Sequence, residues 1–268
     1  MKNKIIFDWR ARQSWLASIR HYADDLLEPS VRNRIARDRP KCWSDDVSWL
    51  PDSEDVVPEF ISRFTAYYGY FKGFHGCRPL TLSSYYEQGL LGQNSEELFA
   101  TFREVFSDVP RDKIDRVVKQ FSDRGLRERG AIWFVGDDVS LIEDCGHYAI
   151  QGSEFLMALA AALCGPDTGE DYRFRLRRHG VPTILEVDMP ASFVPPEQRN
   201  EVARMVLSAW GQSVARRPLG LGEEPCYVVR RDIPPDCIKS HYHPQRIRDP
   251  HQGFRTYQSP AVTCDVCG

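Results

Sequence analysis

The chain has 268 residues, 42% of them hydrophobic and 27% charged, an ordinary globular composition long enough for one large domain or one domain with appendages. A net charge of −3 argues against a broadly basic surface that would hold nucleic acid without regard to sequence. No run approaches the roughly 20 apolar residues of a membrane helix. The opening Met1-Lys-Asn-Lys-Ile-Ile-Phe-Asp-Trp-Arg also lacks the apolar stretch of a signal peptide, so a cytoplasmic protein with no membrane partner is expected.

In chain order, Trp15, Ile19, Tyr22 and Leu26 recur at three- and four-residue steps, which predicts an amphipathic helix over 14–27. The Pro, Asp and Ser content of 39–58 reads as a linker or long loop, and residues 59–70 as a short helix. Tyr70-Phe-Lys-Gly-Phe-His-Gly-Cys-Arg then suggests a strand running into a loop. Ile114, Val117, Val118 and Phe121 mark a helix ending at Gly125, and Ala131-Ile-Trp-Phe-Val a compact strand stopped by Gly136. Ser153 is a candidate cap for a helix through Leu163, closed by Gly165. The arginines at 173, 175, 177 and 178 could form a local nucleic-acid contact, but such a run is more often one solvated strand face. Thr183-Ile-Leu-Glu-Val-Asp-Met reads as a strand stopped by Pro190, the spacing of Val202, Val206 and Trp210 as a helix, and Cys226-Tyr-Val-Val as a last strong strand. Strands separated by unequal insertions favour a mixed α+β sheet over a regular doubly wound one, and there is no G-x-G-x-x-G fingerprint for a dinucleotide-binding dehydrogenase.

Eight cysteines, at 42, 77, 145, 164, 226, 237, 264 and 267, are scattered along the chain, so reduced thiols are expected instead of a disulfide framework. The segment 241–268 carries His241-Tyr-His-Pro and ends in Cys264-Asp-Val-Cys-Gly. Two histidines and a C-x-x-C pair have the makings of a Cys2His2 zinc site, although a loose terminus is the simpler reading and no metal is assigned to the predicted active site.

Three segments carry a resemblance. Gly73-Phe-His-Gly-Cys-Arg-Pro-Leu, followed by Ser84-Tyr-Tyr-Glu-Gln-Gly-Leu, resembles the "H-G-[ST]-R" motif and trailing helix of ADP-ribosyltransferases of the diphtheria-toxin and poly(ADP-ribose) polymerase branch. Arg129-Gly-Ala-Ile-Trp-Phe-Val resembles that family's "G-x-[GI]-[IV]-Y-F-[AS]" strand, and Tyr148 stands where the family has a second aromatic ahead of a long helix. Gly222-Glu-Glu-Pro-Cys-Tyr-Val-Val with Ile233-Pro-Pro-Asp-Cys-Ile resembles its "E-[FY]-[ILV]-V" strand and "[IV]-P-P-x-x-I" continuation, with the acids displaced to Glu223 and Glu224.

The resemblance implies an α+β fold with a split mixed or antiparallel sheet. The expected organisation is an N-terminal helical region over 1–65, a catalytic domain over 66–240 and a tail over 241–268. It further implies that NAD+ is a substrate, bound by His75, Gly76, Arg78, Trp133 and Tyr148, with His75, Tyr148 and Glu224 as the catalytic set and Glu223 or Glu186 as alternative acids. Glycine suits a backbone that must approach a ligand closely, and two aromatic faces suit a cationic pyridinium. Breaking the nicotinamide–ribose bond develops positive charge on the ribose, which one carboxylate offsets; the departing ring is neutralised by cleavage, so His75 need not titrate. The implied activity is mono-ADP-ribosylation of RNA, DNA or protein, by a toxin or phage-defence effector with an antitoxin or inhibitor partner. The alternative is a non-catalytic module of the same fold that binds NAD+, ADP-ribose or a partner. A cysteine hydrolase using Cys145 near His147, or Cys77 near His75, has only sequence proximity behind it.

Overall fold

The computed structural model describes residues 5–38, 40, 47–164, 169–217, 224–260 and 264–267. The chain is α+β with an open, mostly antiparallel sheet. Its elements begin with β1 (Ile6–Phe7), α1 (Arg12–Tyr22), α2 (Pro29–Asp38), α3 (Ser53–Tyr67), β2 (Tyr70–Cys77), α4 (Ser83–Gln88), α5 (Ser95–Val105) and α6 (Arg111–Glu128). They continue with β3 (Ile132–Val135), α7 (Asp138–Glu143), α8 (His147–Ile150), α9 (Glu154–Leu163), β4 (Thr183–Pro190) and α10 (Pro196–Val214). The last are β5 (Cys226–Val229), β6 (Ile238–Tyr242), β7 (Arg246–Asp249) and β8 (Arg255–Gln258).

Two compact units divide the chain: Met1–Gly73 with Asp188–Tyr227, and Phe74–Val187 with Val228–Gly268. The boundaries expected at 65 and 240 are therefore not those of the structure, because three strands each carry the chain from one unit into the other.

The first unit is held by aromatic packing. Phe7 lies 5.2 to 6.0 Å from the rings of Tyr68, Phe64, Phe71 and Trp15, and the Trp15 indole N–H donates to the Trp9 carbonyl at 3.1 Å. β1 pairs in parallel with the start of β2, Ile6 opposite Tyr70 and Phe7 opposite Phe71. In α3 the buried Val57, Phe60 and Phe64 recur at helical spacing, and this stripe overrides the loop signal over 53–58. The helix begins at Ser53 with Pro58 in its interior, although proline removes a main-chain donor there. Composition alone suggests a linker; packing makes 53–58 helical, while 47–52 remain irregular as the loop reading expects.

The strand order of the larger sheet is β5–β3–β2–β4–β6, with β1 beside β2, and in the second unit β7 and β8 form a separate hairpin. Helices α5, α6 and α9 share a core in which Phe99, Phe102, Ile114, Val117, Phe155 and Leu159 are buried. Ser153 caps α9 as expected, accepting from the Leu156 N–H at 3.4 Å. Gly125, expected to end a helix, lies inside α6, because a Cβ there would come within 2.7 Å of the Ser95 Cβ. Gly165, expected to close α9, lies outside the described residues.

Two further expectations are corrected. Tyr172–Arg178 is a 3-10 helix, not a strand, and three of its four arginines are paired individually, Arg173 with Asp171, Arg175 with Asp108 and Glu170, and Arg177 with the buried Asp249, while Arg178 is exposed as the solvated reading expects. Among the described residues, 241–260 and 264–267 are not a loose tail. β6 pairs with β4, Leu185 opposite His241, and Ile247 of β7 is buried against Ala149 and Ile150 of α8. A hairpin that contributes its own core residues belongs to the unit it fills.

Candidate functional site

β2 and β3 run antiparallel with Phe74 opposite Val135. Side chains alternate along each strand, so Phe74, Gly76, Trp133 and Val135 share one face, and His75 and Phe134 the other. The contacts agree: the His75 ring lies 5.7 Å from that of Phe134, while Tyr148 and Leu141 pack with Phe74. A Cβ on Gly76 would meet the Tyr148 Cβ at 3.1 Å and Leu141 at 3.3 Å. Glycine at 76 thus lets Tyr148 close over the strand, a reason in the protein's own packing. The structure brings Gly76, Trp133 and Tyr148 together on one face, and Trp133 is 53% exposed. His75 does not share that face.

His75 is tied to the group through the main chain. Its Nδ1–H donates to the Trp133 carbonyl at 2.8 Å, which fixes the tautomer and leaves Nε2 as the ring's acceptor. Burial lowers its pKa, only partly offset by that hydrogen bond, so the ring is neutral at pH 7. A neutral imidazole suits a residue that positions Trp133 and does not exchange protons.

Tyr148 sits in the single-turn helix α8, and its hydroxyl donates to Glu154 Oε2 at 2.9 Å. Glu154, the first residue of α9, also pairs with Arg124 at 3.3 Å. Sequence reading missed this carboxylate, because a Glu in a helix's first turn is ordinarily a dipole-favoured surface residue. Beside Tyr148, the His147 ring lies 4.2 Å away, with its pKa lowered first by burial and then by the neighbouring His251.

Arg78 has a different setting from a ligand clamp. Its guanidinium donates to the carbonyls of His179 at 2.9 Å and Ala149 at 3.4 Å, and also to that of Arg177. Of the candidate acids, Glu186 lies on β4 beside a register shift and accepts from the Ser240 hydroxyl at 3.1 Å. Glu224 is half-buried and belongs to the first unit, whereas His75, Trp133 and Tyr148 belong to the second. Glu223 lies outside the described residues. The hydrolase reading loses Cys77: burial pushes its thiol up to about 12, so the thiolate a nucleophile requires is absent at neutral pH.

Away from this group, a shallow open pocket on the β7–β8 hairpin is lined by Glu143, Arg246, Ile247, Arg248 and Thr256. His241, His243, Cys264 and Cys267, 26 residues apart at the extremes of sequence, offer ligand atoms that all lie within 4.8 Å of one another. These are the described residues best suited to hold a metal ion. Compared with protein-family models, curated proteins and solved structures, the chain matches none.

Proposed function

We propose that the chain is a mono-ADP-ribosyltransferase of the diphtheria-toxin and poly(ADP-ribose) polymerase kind, acting on RNA, DNA or protein as a toxin or phage-defence effector restrained by an antitoxin or inhibitor. The observation that carries the reading is that Trp133, opposite Gly76 on the next strand, shares its face, and Tyr148 packs against Gly76, with much of Trp133 open to solvent. Such a face suits the flat, positively charged nicotinamide ring of NAD+, where stacking and cation–π attraction contribute about 0.5–2 kcal/mol per ring. In the reaction the glycosidic C–N bond breaks and nicotinamide leaves with the bonding pair, which neutralises its ring. The acceptor's oxygen or nitrogen then bonds to the ribose carbon and gives up its proton. A carboxylate stabilises the developing ribose cation.

In this reading His75 positions Trp133, and Arg78 positions the segment that follows Gly76. The motif points to Glu224 as the acid. The test incubates the purified chain with adenylate-labelled NAD+ and cell lysate, following nicotinamide release and label transfer. Glu224→Gln is expected to abolish transfer and leave NAD+ binding intact. Loss with Glu186→Gln or Glu154→Gln in its place moves the acid to that residue. Binding without release or transfer by the unaltered chain replaces the enzyme with a non-catalytic NAD+-binding module, and no binding overturns both readings.

A further inference from the structure

His241 lies in β6 and His243 is the residue just after the strand; two residues apart in extended chain, their rings turn to one side. The turn 264–267 lies against them. His241 Nε2 is 3.1 Å from Cys267 Sγ and 3.7 Å from Cys264 Sγ, and His243 Nε2 is 3.8 Å from Cys267 Sγ. With Zn–S of about 2.3 Å and Zn–N of about 2.0–2.1 Å, the edges of a tetrahedral S2N2 site are roughly 3.4–3.8 Å. These three separations are within about 0.3 Å of such edges, and all four ligand atoms lie within 4.8 Å of one another, within reach of one ion. We infer that His241, His243, Cys264 and Cys267 form a structural zinc site.

The surroundings are those that ligating side chains require. His243 Nδ1–H donates to the Pro182 carbonyl at 2.9 Å, which leaves the Nε2 lone pair facing the thiols. His241 Nδ1 is 2.7 Å from the Tyr86 hydroxyl, so the same nitrogen, Nε2, is turned inward on both rings. The Cys267 N–H donates to Cys264 Sγ at 3.2 Å, stabilising that sulfur as thiolate. Between the two cysteines, Asp265 accepts from the Leu82 and Ser83 N–H groups at 2.9 and 3.0 Å. The C-x-x-C turn is thereby fastened to the start of α4, and Tyr86 of the same helix holds His241. Four protein ligands leave no open position, so the metal's role is to tie β6, the 264–267 turn and α4 together and not to activate water. Two thiolates and two imidazoles favour zinc over harder cations.

The test uses the full chain purified under reducing conditions. Elemental analysis is expected to give one zinc per chain, retained on dialysis. Cobalt substitution should give the strong visible bands of a tetrahedral thiolate site, a measurement that needs no variant. Cys267→Ser and His241→Ala should each reduce zinc occupancy at least tenfold, while Cys164→Ser and Cys226→Ser keep it. Removing the metal should speed hydrogen exchange in residues 82–88. If the variants do not fold, the cobalt spectrum of the unaltered chain decides. A reduced chain that takes up less than a tenth of an equivalent of zinc overturns the inference. So does an octahedral cobalt spectrum, or full zinc retention in both ligand variants.

Discussion

Replacing Arg78 by methionine tests whether this side chain serves the fold or a ligand. Methionine keeps most of the apolar stem but removes every donor from the carbonyls of His179, Ala149 and Arg177. A hydrogen bond from a charged group contributes about 1.5–3 kcal/mol, and three sharing one half-buried guanidinium do not add fully, so a loss of roughly 3–5 kcal/mol is expected. Arg78→Lys retains a point charge that reaches only part of the three-carbonyl fork and should lose about half as much. In urea, with m near 2 kcal/mol/M, the methionine variant should unfold at a midpoint lower by about 1.5–2.5 M. Hydrogen exchange should rise first in peptides covering 147–150 and 172–179, where the three acceptors lie. A methionine variant within about 0.5 kcal/mol of the unaltered chain, with NAD+ binding alone impaired, would refute the reasoning and return Arg78 to the ligand set.

Phe155→Ala should destabilise the second unit by about 3–5 kcal/mol, because its buried ring packs on Phe99, Phe121 and the Arg124 guanidinium; a loss under about 1 kcal/mol by denaturant titration would count against that packing. Trp133→Ala should cost about 1 kcal/mol or less, since the ring is largely exposed, yet weaken NAD+ binding at least tenfold; undiminished binding by calorimetry would remove the ring from the proposed site. Burial lowers the folded-state pKa of His75 below the unfolded value of about 6.5, so its contribution is fully present above that pH and is lost as the unfolded chain protonates on acidification. Urea midpoints measured from pH 7.5 to 5.5 should therefore fall less steeply in His75→Gln than in the unaltered chain, and identical slopes would contradict a neutral, desolvated imidazole.

Local periodicity and stop signals were legible along the chain. The strand at 183–190, the helix around Val202, Val206 and Trp210, and the Ser153 cap all correspond to observed elements, because each rests on contacts within a few residues. The α+β class follows from the same elements. Tertiary packing decided what lay beyond that range. Gly125 reads as a stop in one dimension and proves to be the place where Ser95 approaches α6. Arg173, Arg175 and Arg177 read as part of a solvated face until Asp171, Asp108, Glu170 and Asp249 supply their partners. His75 and Trp133 were proposed as one group, but strand alternation and register put their side chains on opposite faces and leave Tyr148 to join Gly76 and Trp133. Likewise the residue types at 241, 243, 264 and 267 allow a metal site, and only the folding of β6 and the 264–267 turn brings their ligand atoms within reach of one ion. Sequence spacing constrains what neighbours along the chain can do; convergence of distant residues depends on register and packing that no local pattern encodes.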